Sequence, residues 1–164
     1  MPISGIKQPE YINIDSTLRL RKYDGIHDFA FDWYQDAETV YLVDGNRIPY
    51  TKERLSAMYS YLDAHGELYF FELFENDAWL PIGDVTFWQE DMPIVIGDKN
   101  YRGRGIGKKV VKALIKRARA LGYDRIFVDE IYHYNTASEK CYLGAGVTVY
   151  KTKEKGNSYV LRLK

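Results

Sequence analysis

The sequence predicts one α/β (α+β) domain, and three observations carry the prediction. Strand-type and helix-type periodicities follow one another in the order β-α-α-β-β-β-α-β-α-β-β. The stretch Ile94 to Lys109 runs from a short β-branched segment through a glycine-rich turn into a strongly basic helix. The length, 164 residues with 46% apolar and 28% charged side chains, is that of a single domain with one core, here residues 1–164.

The elements read in order. Thr17-Leu18-Arg19-Leu20-Arg21 alternates apolar with polar residues, the period of a strand with one buried face. His27 to Gln35 reads as a short helix carrying Phe29, Trp33 and Tyr34, followed by a loop of turn formers and acids that includes Asp36, Glu38, Asp44, Gly45, Asn46 and Pro49. Thr51 is an N-cap for a helix that sets Leu55, Met58, Tyr59 and Leu62 on one face and stops at Gly66. Leu68–Phe74 and Ile82–Trp88 form a hairpin about Glu75-Asn76-Asp77, and Ile94–Gly97 is the next strand. The helix after the glycine turn spaces Ile106, Val110, Val111, Leu114, Ile115, Ala118 and Leu121 along one face, directs Lys112, Lys116 and Arg119 elsewhere, and closes at Gly122. Arg125–Ile131 is a strand, and Thr136–Leu143 a helix ended by Gly144 and Gly146. Val147–Lys151 and Ser158–Leu163 are the last strands, joined through Lys155-Gly156-Asn157.

Composition excludes several function classes. Lys plus Arg and Asp plus Glu both number 23, which argues against a duplex nucleic-acid binder, because such proteins depend on a net basic surface. The single Cys141 has no partner for an internal disulfide, as expected of a cytoplasmic protein in a reducing compartment. No apolar run is long enough to span a bilayer, and Met1-Pro2-Ile3-Ser4-Gly5 opens no signal peptide, so no membrane partner is expected. The abundant tyrosines, 15 of them, read as strand and interface packing.

Strand, glycine turn and helix start make a site for a polyphosphate: glycine lets the backbone approach a ligand, and the free amides of a first helical turn point at its charge. A Walker loop counted back from Gly107-Lys108 would need glycine at Arg102 and a hydroxyl at Lys109. A dinucleotide fingerprint begun at Gly103 and Gly105 would need glycine at Lys108. Neither fits.

Arg102-x-x-Gly105-x-Gly107 does resemble the R/Q-x-x-G-x-G/A pyrophosphate loop of the GNAT superfamily of N-acetyltransferases, which cradles coenzyme A. A second segment, Asn135-Thr136-Ala137-Ser138-Glu139-Lys140-Cys141-Tyr142-Leu143-Gly144-Ala145-Gly146-Val147, resembles the same superfamily's N-x-x-A/S-x-x-x-Y-x-x-x-G-F motif, with Val147 in place of phenylalanine. The resemblance covers roughly Arg19 to Leu163 and is nearest to the aminoglycoside 6'-N-acetyltransferase and ribosomal-protein N-acetyltransferase branch. It implies a mixed, largely antiparallel twisted sheet of six to seven strands flanked by about four helices. It implies acetyl-CoA as co-substrate and no metal. It makes a homodimer plausible.

The site residues follow from the resemblance, position by position. The pyrophosphate lies on the amides from Gly103 through Arg104, Gly105 and Gly107 to Lys108, with charge from Arg102 and Lys108. Backbone amides of Val95 and Ile96 hold the acetyl carbonyl, with Gly97 at the bulge that opens the sheet, and Asn135 contacts the cofactor arm. Tyr142 matches the proton donor to the departing sulfur; Cys141 beside it is read as a buried cysteine. An ammonium must lose a proton before it can attack a thioester, so a carboxylate is needed near the acceptor. Glu130 is the leading candidate because relatives place an aspartate there; Asp84, Glu90 and Asp98 rank behind it. Pro93 stands where relatives often carry a second acid.

For the acceptor, Trp33-Tyr34-Gln35-Asp36-Ala37-Glu38 resembles the W-x-x-D-x-E/D segment of the ribosomal-protein enzymes. Acids and aromatic faces suit a cationic amine, which makes Trp33, Tyr34, Asp36 and Asp84 candidate acceptor residues. Three functions stay open: acetyl transfer to a small cationic amine, aminoglycoside-like amines among them; the same chemistry on a protein N-terminal or lysine amine; and a non-catalytic coenzyme A-binding module.

Overall fold

The computed structural model describes all 164 residues and contains eight strands and four α-helices. Strands β1 (Tyr11–Asn13), β2 (Leu18–Lys22), β3 (Glu67–Glu75), β4 (Ala78–Phe87) and β5 (Ile94–Ile96) form an antiparallel sheet in sequence order. Strands β6 (Arg125–Tyr132), β7 (Thr148–Thr152) and β8 (Gly156–Arg162) form a second antiparallel sheet ordered β6-β8-β7. The helices are α1 (Ala37–Asp44), α2 (Lys52–His65), α3 (Ile106–Ala120) and α4 (Thr136–Gly144).

Most elements fall where the periodicity puts them, with three differences. Strand β1 is additional; at three residues it is too short to show a period. His27–Gln35 forms two 3-10 turns, Asp28–Ala30 and Asp32–Gln35, in place of one helix. Aromatics and aspartates are weak helix formers, and here the ring contacts Phe29–Trp33 and Phe29–Phe70 pin the turns. The expected loop after it contains α1, whose start is marked by Asp36: its carboxylate accepts from the amide and the hydroxyl of Thr39, both at 3.0 Å.

Strand β3 is buried on both faces, so it reads as a continuous apolar run rather than an alternation. Its Tyr69 and Phe71 join the larger core with Val85, Phe87, the α3 residues Val110, Val111, Leu114 and Ile115, and Ile126, Val128 and Tyr159 of the second sheet. Its Leu68 and Phe70 face the other way, into a smaller core with Trp33, Tyr34, Val40, Tyr50, Leu55 and Tyr59. Helices α3 and α4 thus cover one face of the first sheet, and α1, α2 and the 3-10 turns cover the other. Each buried ring or branched chain contributes about 1.5–3 kcal/mol.

The two sheets meet at an apex and then part. At the apex Phe127 N donates to Gln89 O at 2.9 Å, Gln89 Nε2 to Arg125 O at 3.1 Å, and Asp129 N to Asp91 Oδ1 at 2.9 Å. Beyond it β5 pairs only with β4, and β6 only with β8. The open edge of β5 therefore faces a fork between the sheets, with α3 beginning just beyond it.

Candidate functional site

The glycine turn is built to leave backbone exposed. Gly103 and Gly105 both sit at φ +75°, a left-handed conformation that favours glycine, and a Cβ added to either would meet nothing within 4 Å. Gly105 is the N-cap of α3, a 15-residue helix with no side-chain cap and no acid in its first turn. Its first amides lack the intrahelical acceptors that later ones have, and the macrodipole adds partial positive charge there. Gly107 serves differently: its Cβ would lie 2.9 Å from Cys141 Sγ, so glycine lets α3 pack closely on α4. This arrangement fits a diphosphate held by main chain.

Of the charged side chains of the loop, Arg102 is engaged by protein groups and Lys108 lies against the end of α4. Arg102 Nη2 donates to Thr39 Oγ1 at 2.6 Å and to Ile96 O at 3.3 Å, and its Nη1 lies 3.8 Å from Glu38 Oε2. The guanidinium fastens α1 to the end of β5. Lys108 lies along Gly144, where a Cβ would meet its Cδ at 3.3 Å, so its ammonium sits at the negative end of α4. Arg104 stacks over the Tyr101 ring at 4.8 Å. Asn135 caps α4 by accepting from Ser138 N at 3.2 Å, and its Nδ2 reaches Leu42 O at 3.4 Å.

Strand phase decides which amides face the fork. Thr86 N donates to Pro93 O at 3.0 Å and Gly97 N to Ile82 O at 2.9 Å, and Asp84 lies opposite Val95. Residues 93, 95 and 97 therefore turn their polar groups toward β4, and antiparallel alternation turns those of Ile94 and Ile96 outward. Ile96 keeps its expected orientation, with its carbonyl taken by Arg102. Val95 does not: its amide belongs to the ladder, and Ile94, missed from the sequence, presents its amide instead. The irregularity near the fork lies at Ile82 of β4, which has no partner in β3 between the Phe71–Gly83 and Glu72–Pro81 pairs. Gly97 is glycine because a Cβ would strike the Trp33 ring at 2.2 Å.

Tyr142 lies fully buried at the closed end of the fork, its hydroxyl donating to Met92 O, one of the outward-facing carbonyls. Burial holds its phenol well above the usual range, so it stays protonated. Burial likewise pushes the Cys141 thiol up to about 12, which removes it as a nucleophile at neutral pH. Glu130 sits at a bulge where β6 residues 129 and 130 together oppose Ser158. Its carboxylate is 3.8 Å from Nζ of Lys153, which lies in the turn between β7 and β8.

Three carboxylates are buried, Glu67, Glu72 and Asp84. Arg117 holds Glu67 at 2.5 Å, and Arg19 and Arg21 hold Glu72 at 2.9 Å each. Asp84 has no cationic partner; its Oδ2 accepts from Tyr34 Oη at 2.8 Å and Tyr59 Oη at 2.9 Å. Burial raises its carboxyl to about 6, against the lowering effect of the two phenols. Of the other acceptor candidates, Trp33 packs over Gly97, Tyr34 reaches the site through Asp84, and Asp36 is spent on capping α1, its carboxyl lowered chiefly by the Thr39 amide. Asp36 is the N-cap of α1.

Residues 28–146 match the model of the acetyltransferase (GNAT) family. A comparison with curated protein sequences returns no match. Among solved structures, a domain from Methanocaldococcus jannaschii is similar at 21% identity and a TM-score of 0.74, covering 91% of this chain and all of that one. The aminoglycoside acetyltransferase AAC(6')-Ib in complex with coenzyme A is similar at 21% identity and a TM-score of 0.70, over 90% of this chain and 95% of that one. The ribosomal L7/L12 α-N-protein acetyltransferase RimL, also with coenzyme A, is similar at 15% identity and a TM-score of 0.73, over 93% and 98%. At these identities the structural likenesses establish the shared fold.

Proposed function

The chain belongs to the acetyltransferase (GNAT) family, whose model it matches over residues 28–146, and from that premise we propose that it moves the acetyl group of acetyl-CoA to the primary amine of a small cationic acceptor. That it is an N-acetyltransferase using acetyl-CoA follows from the family. The small cationic acceptor rests on one observation: Asp84 is a buried carboxylate without a cationic partner, on the sheet face walled by Trp33, Tyr34 and Tyr59. A desolvated carboxylate among aromatic rings attracts a cation by charge and by ring-face quadrupole.

Acetyl-CoA supplies an acyl group activated as a thioester. In the proposed scheme the amides from Gly103 to Lys108 hold the diphosphate, and the outward amides of Ile94 and Ile96 face the carbonyl oxygen as charge builds on it. Asp84 attracts the ammonium and accepts the proton it must lose. Tyr142, kept protonated by burial, is the proposed donor to the departing thiolate, exchanging its bond to the Met92 carbonyl for that role.

Release of free thiol from acetyl-CoA tests the proposal with ribostamycin, spermidine and a peptide bearing a free N-terminal serine. Turnover with a small amine is expected. Micromolar coenzyme A binding without turnover of any amine would leave a binding module, and turnover confined to the peptide would replace the small acceptor by a protein.

Two substitutions refine the roles. Tyr142→Phe is expected to lower turnover by roughly 10²–10⁴-fold with acetyl-CoA affinity preserved. It also strands the buried Met92 carbonyl, at about 1–3 kcal/mol of stability seen in urea melts. A stability loss with unchanged turnover would make the hydroxyl purely structural. Glu130→Gln is expected to change kcat/KM for the amine by less than about threefold, because its partner is an exposed lysine; a drop of two orders of magnitude would restore Glu130 as the base.

A further inference from the structure

Tyr59 belongs to the apolar face of α2, yet its hydroxyl does more than pack. It and Tyr34 donate to the same oxygen of Asp84, so that α2, a 3-10 turn and β4 converge on Oδ2. Both tyrosines are fully buried, while Asp84 keeps 3% of its surface. Oδ1 accepts from no protein donor. The buried side-chain oxygens sealed without a partner are Thr86 Oγ1 and Asn157 Oδ1, so Asp84 Oδ1 retains contact with solvent. The carboxylate thus has one oxygen held on the protein side and one left open.

The surroundings contain no competing charge. Asp84 takes part in no salt bridge. Tyr50 packs on Tyr34 at 4.8 Å, and His27 and Tyr23 pack behind Tyr59 at 5.2 and 5.6 Å. His27 itself is turned to Tyr23 Oη and Ser56 Oγ. The two phenols are the groups that stabilise the ionised form.

We propose that Tyr34 and Tyr59 are positioning residues of acetyl transfer, which clamp Oδ2 of Asp84 so that Oδ1 alone receives the acceptor's ammonium. The proposal rests on the reading of Asp84 as the acceptor's carboxylate. Two donors on one oxygen fix the plane of the carboxyl group and the direction of its free lone pairs. They also oppose the effect of burial, keeping the carboxylate charged at neutral pH while leaving it basic enough to accept a proton. In the step itself R–NH3⁺ and Asp84–COO⁻ become R–NH2 and Asp84–COOH, the nitrogen lone pair attacks the thioester carbon, and the C–S bond breaks. The departing thiolate takes the Tyr142 hydroxyl proton, Tyr142 is restored by the remaining proton that the new amide nitrogen loses, and Oδ1 returns its own proton to solvent. Removing one phenol weakens the ionised form, so the proton is held to higher pH.

The test is a carbon-13 titration of protein labelled at the aspartate carboxyls, with Asp84→Asn identifying the resonance. It is run on the native chain, Tyr59→Phe and Tyr34→Phe, beside pH profiles of kcat/KM for ribostamycin and spermidine. In each tyrosine variant the Asp84 midpoint and the acid limb of kcat/KM are expected to rise together by about one pH unit, with KM for acetyl-CoA unchanged. A midpoint that stays at the native pH in both variants overturns the clamp. A midpoint that moves while the acid limb does not overturns its part in transfer. Independently, Asp84→Asn with native KM and native acid limb overturns the reading of Asp84 beneath it.

Discussion

Gly105→Val is expected to abolish acetyl-CoA binding while leaving the domain folded. The position has φ +75°, where a non-glycine residue is strained by about 1–2 kcal/mol and a β-branched one by more. The protein offers no obstacle to the side chain itself, since nothing lies within 4 Å of a Cβ there. The damage falls on the ligand: the isopropyl group occupies the space above the α3 amides, or the turn relaxes toward negative φ and re-aims them. Removing one charge-assisted amide hydrogen bond weakens binding by about 1.5–3 kcal/mol, so removing two weakens it by roughly 10²–10⁴-fold. Calorimetric titration with acetyl-CoA measures it, with circular dichroism to confirm folding and Gly105→Ala as a smaller intrusion of intermediate effect. Native affinity in Gly105→Val would refute the loop as the diphosphate site.

Asp84→Asn is expected to lower kcat/KM for the amine by about 10²–10⁴-fold and, at neutral pH, to leave the protein as stable as before or more so. The stability follows from the sign of the shift. Burial raises the Asp84 carboxyl from 3.8 to about 6, so between these values the folded state holds a proton that the unfolded state releases. Folding stability from this group therefore falls as pH rises through that window, and above about 6 the full penalty, about 3 kcal/mol at 1.36 per unit, is in place. Asparagine carries no such charge and still offers an oxygen to the phenols. Urea unfolding at pH 5 and pH 7 should show native stability falling between the two by about half that amount, since the rest is already lost between 3.8 and pH 5, and the variant changing less. Lower stability at pH 7 with unchanged kinetics would make Asp84 a structural carboxylate. A charge retained at a stability cost, where Glu67 and Glu72 are neutralised by arginines, is what a working group looks like.

The legible parts of this molecule are those whose physics is local. Thr51 caps α2 from within its own turn, the apolar positions from Ile106 to Leu121 follow a 3.6-residue period, and the αL requirement at Gly105 is a property of one residue. Other features depend on partners that packing supplies. Thr39, 63 residues away, takes the Arg102 guanidinium. Nearer in sequence, Thr39 also completes the cap that starts α1 at Asp36, a helix that propensity alone did not reveal. Val95 and Ile94 exchange roles because strand phase is set by the pairing of β5 with β4, and a shift of one residue reverses which amides face the fork.

The order of elements, the phosphate-binding turn and the family motifs, hence acetyl-CoA as the donor, are all written in neighbouring residues, because backbone conformation and periodicity are local properties. The proposed acceptor side came into being only when the chain folded. Packing passed over Glu130, which leans on Lys153, and gathered Tyr34 and Tyr59, 50 and 25 positions away along the chain, onto one oxygen of Asp84. Burial, which exists only once the layers have packed, is what raises that aspartate's carboxyl from the ordinary range to about 6.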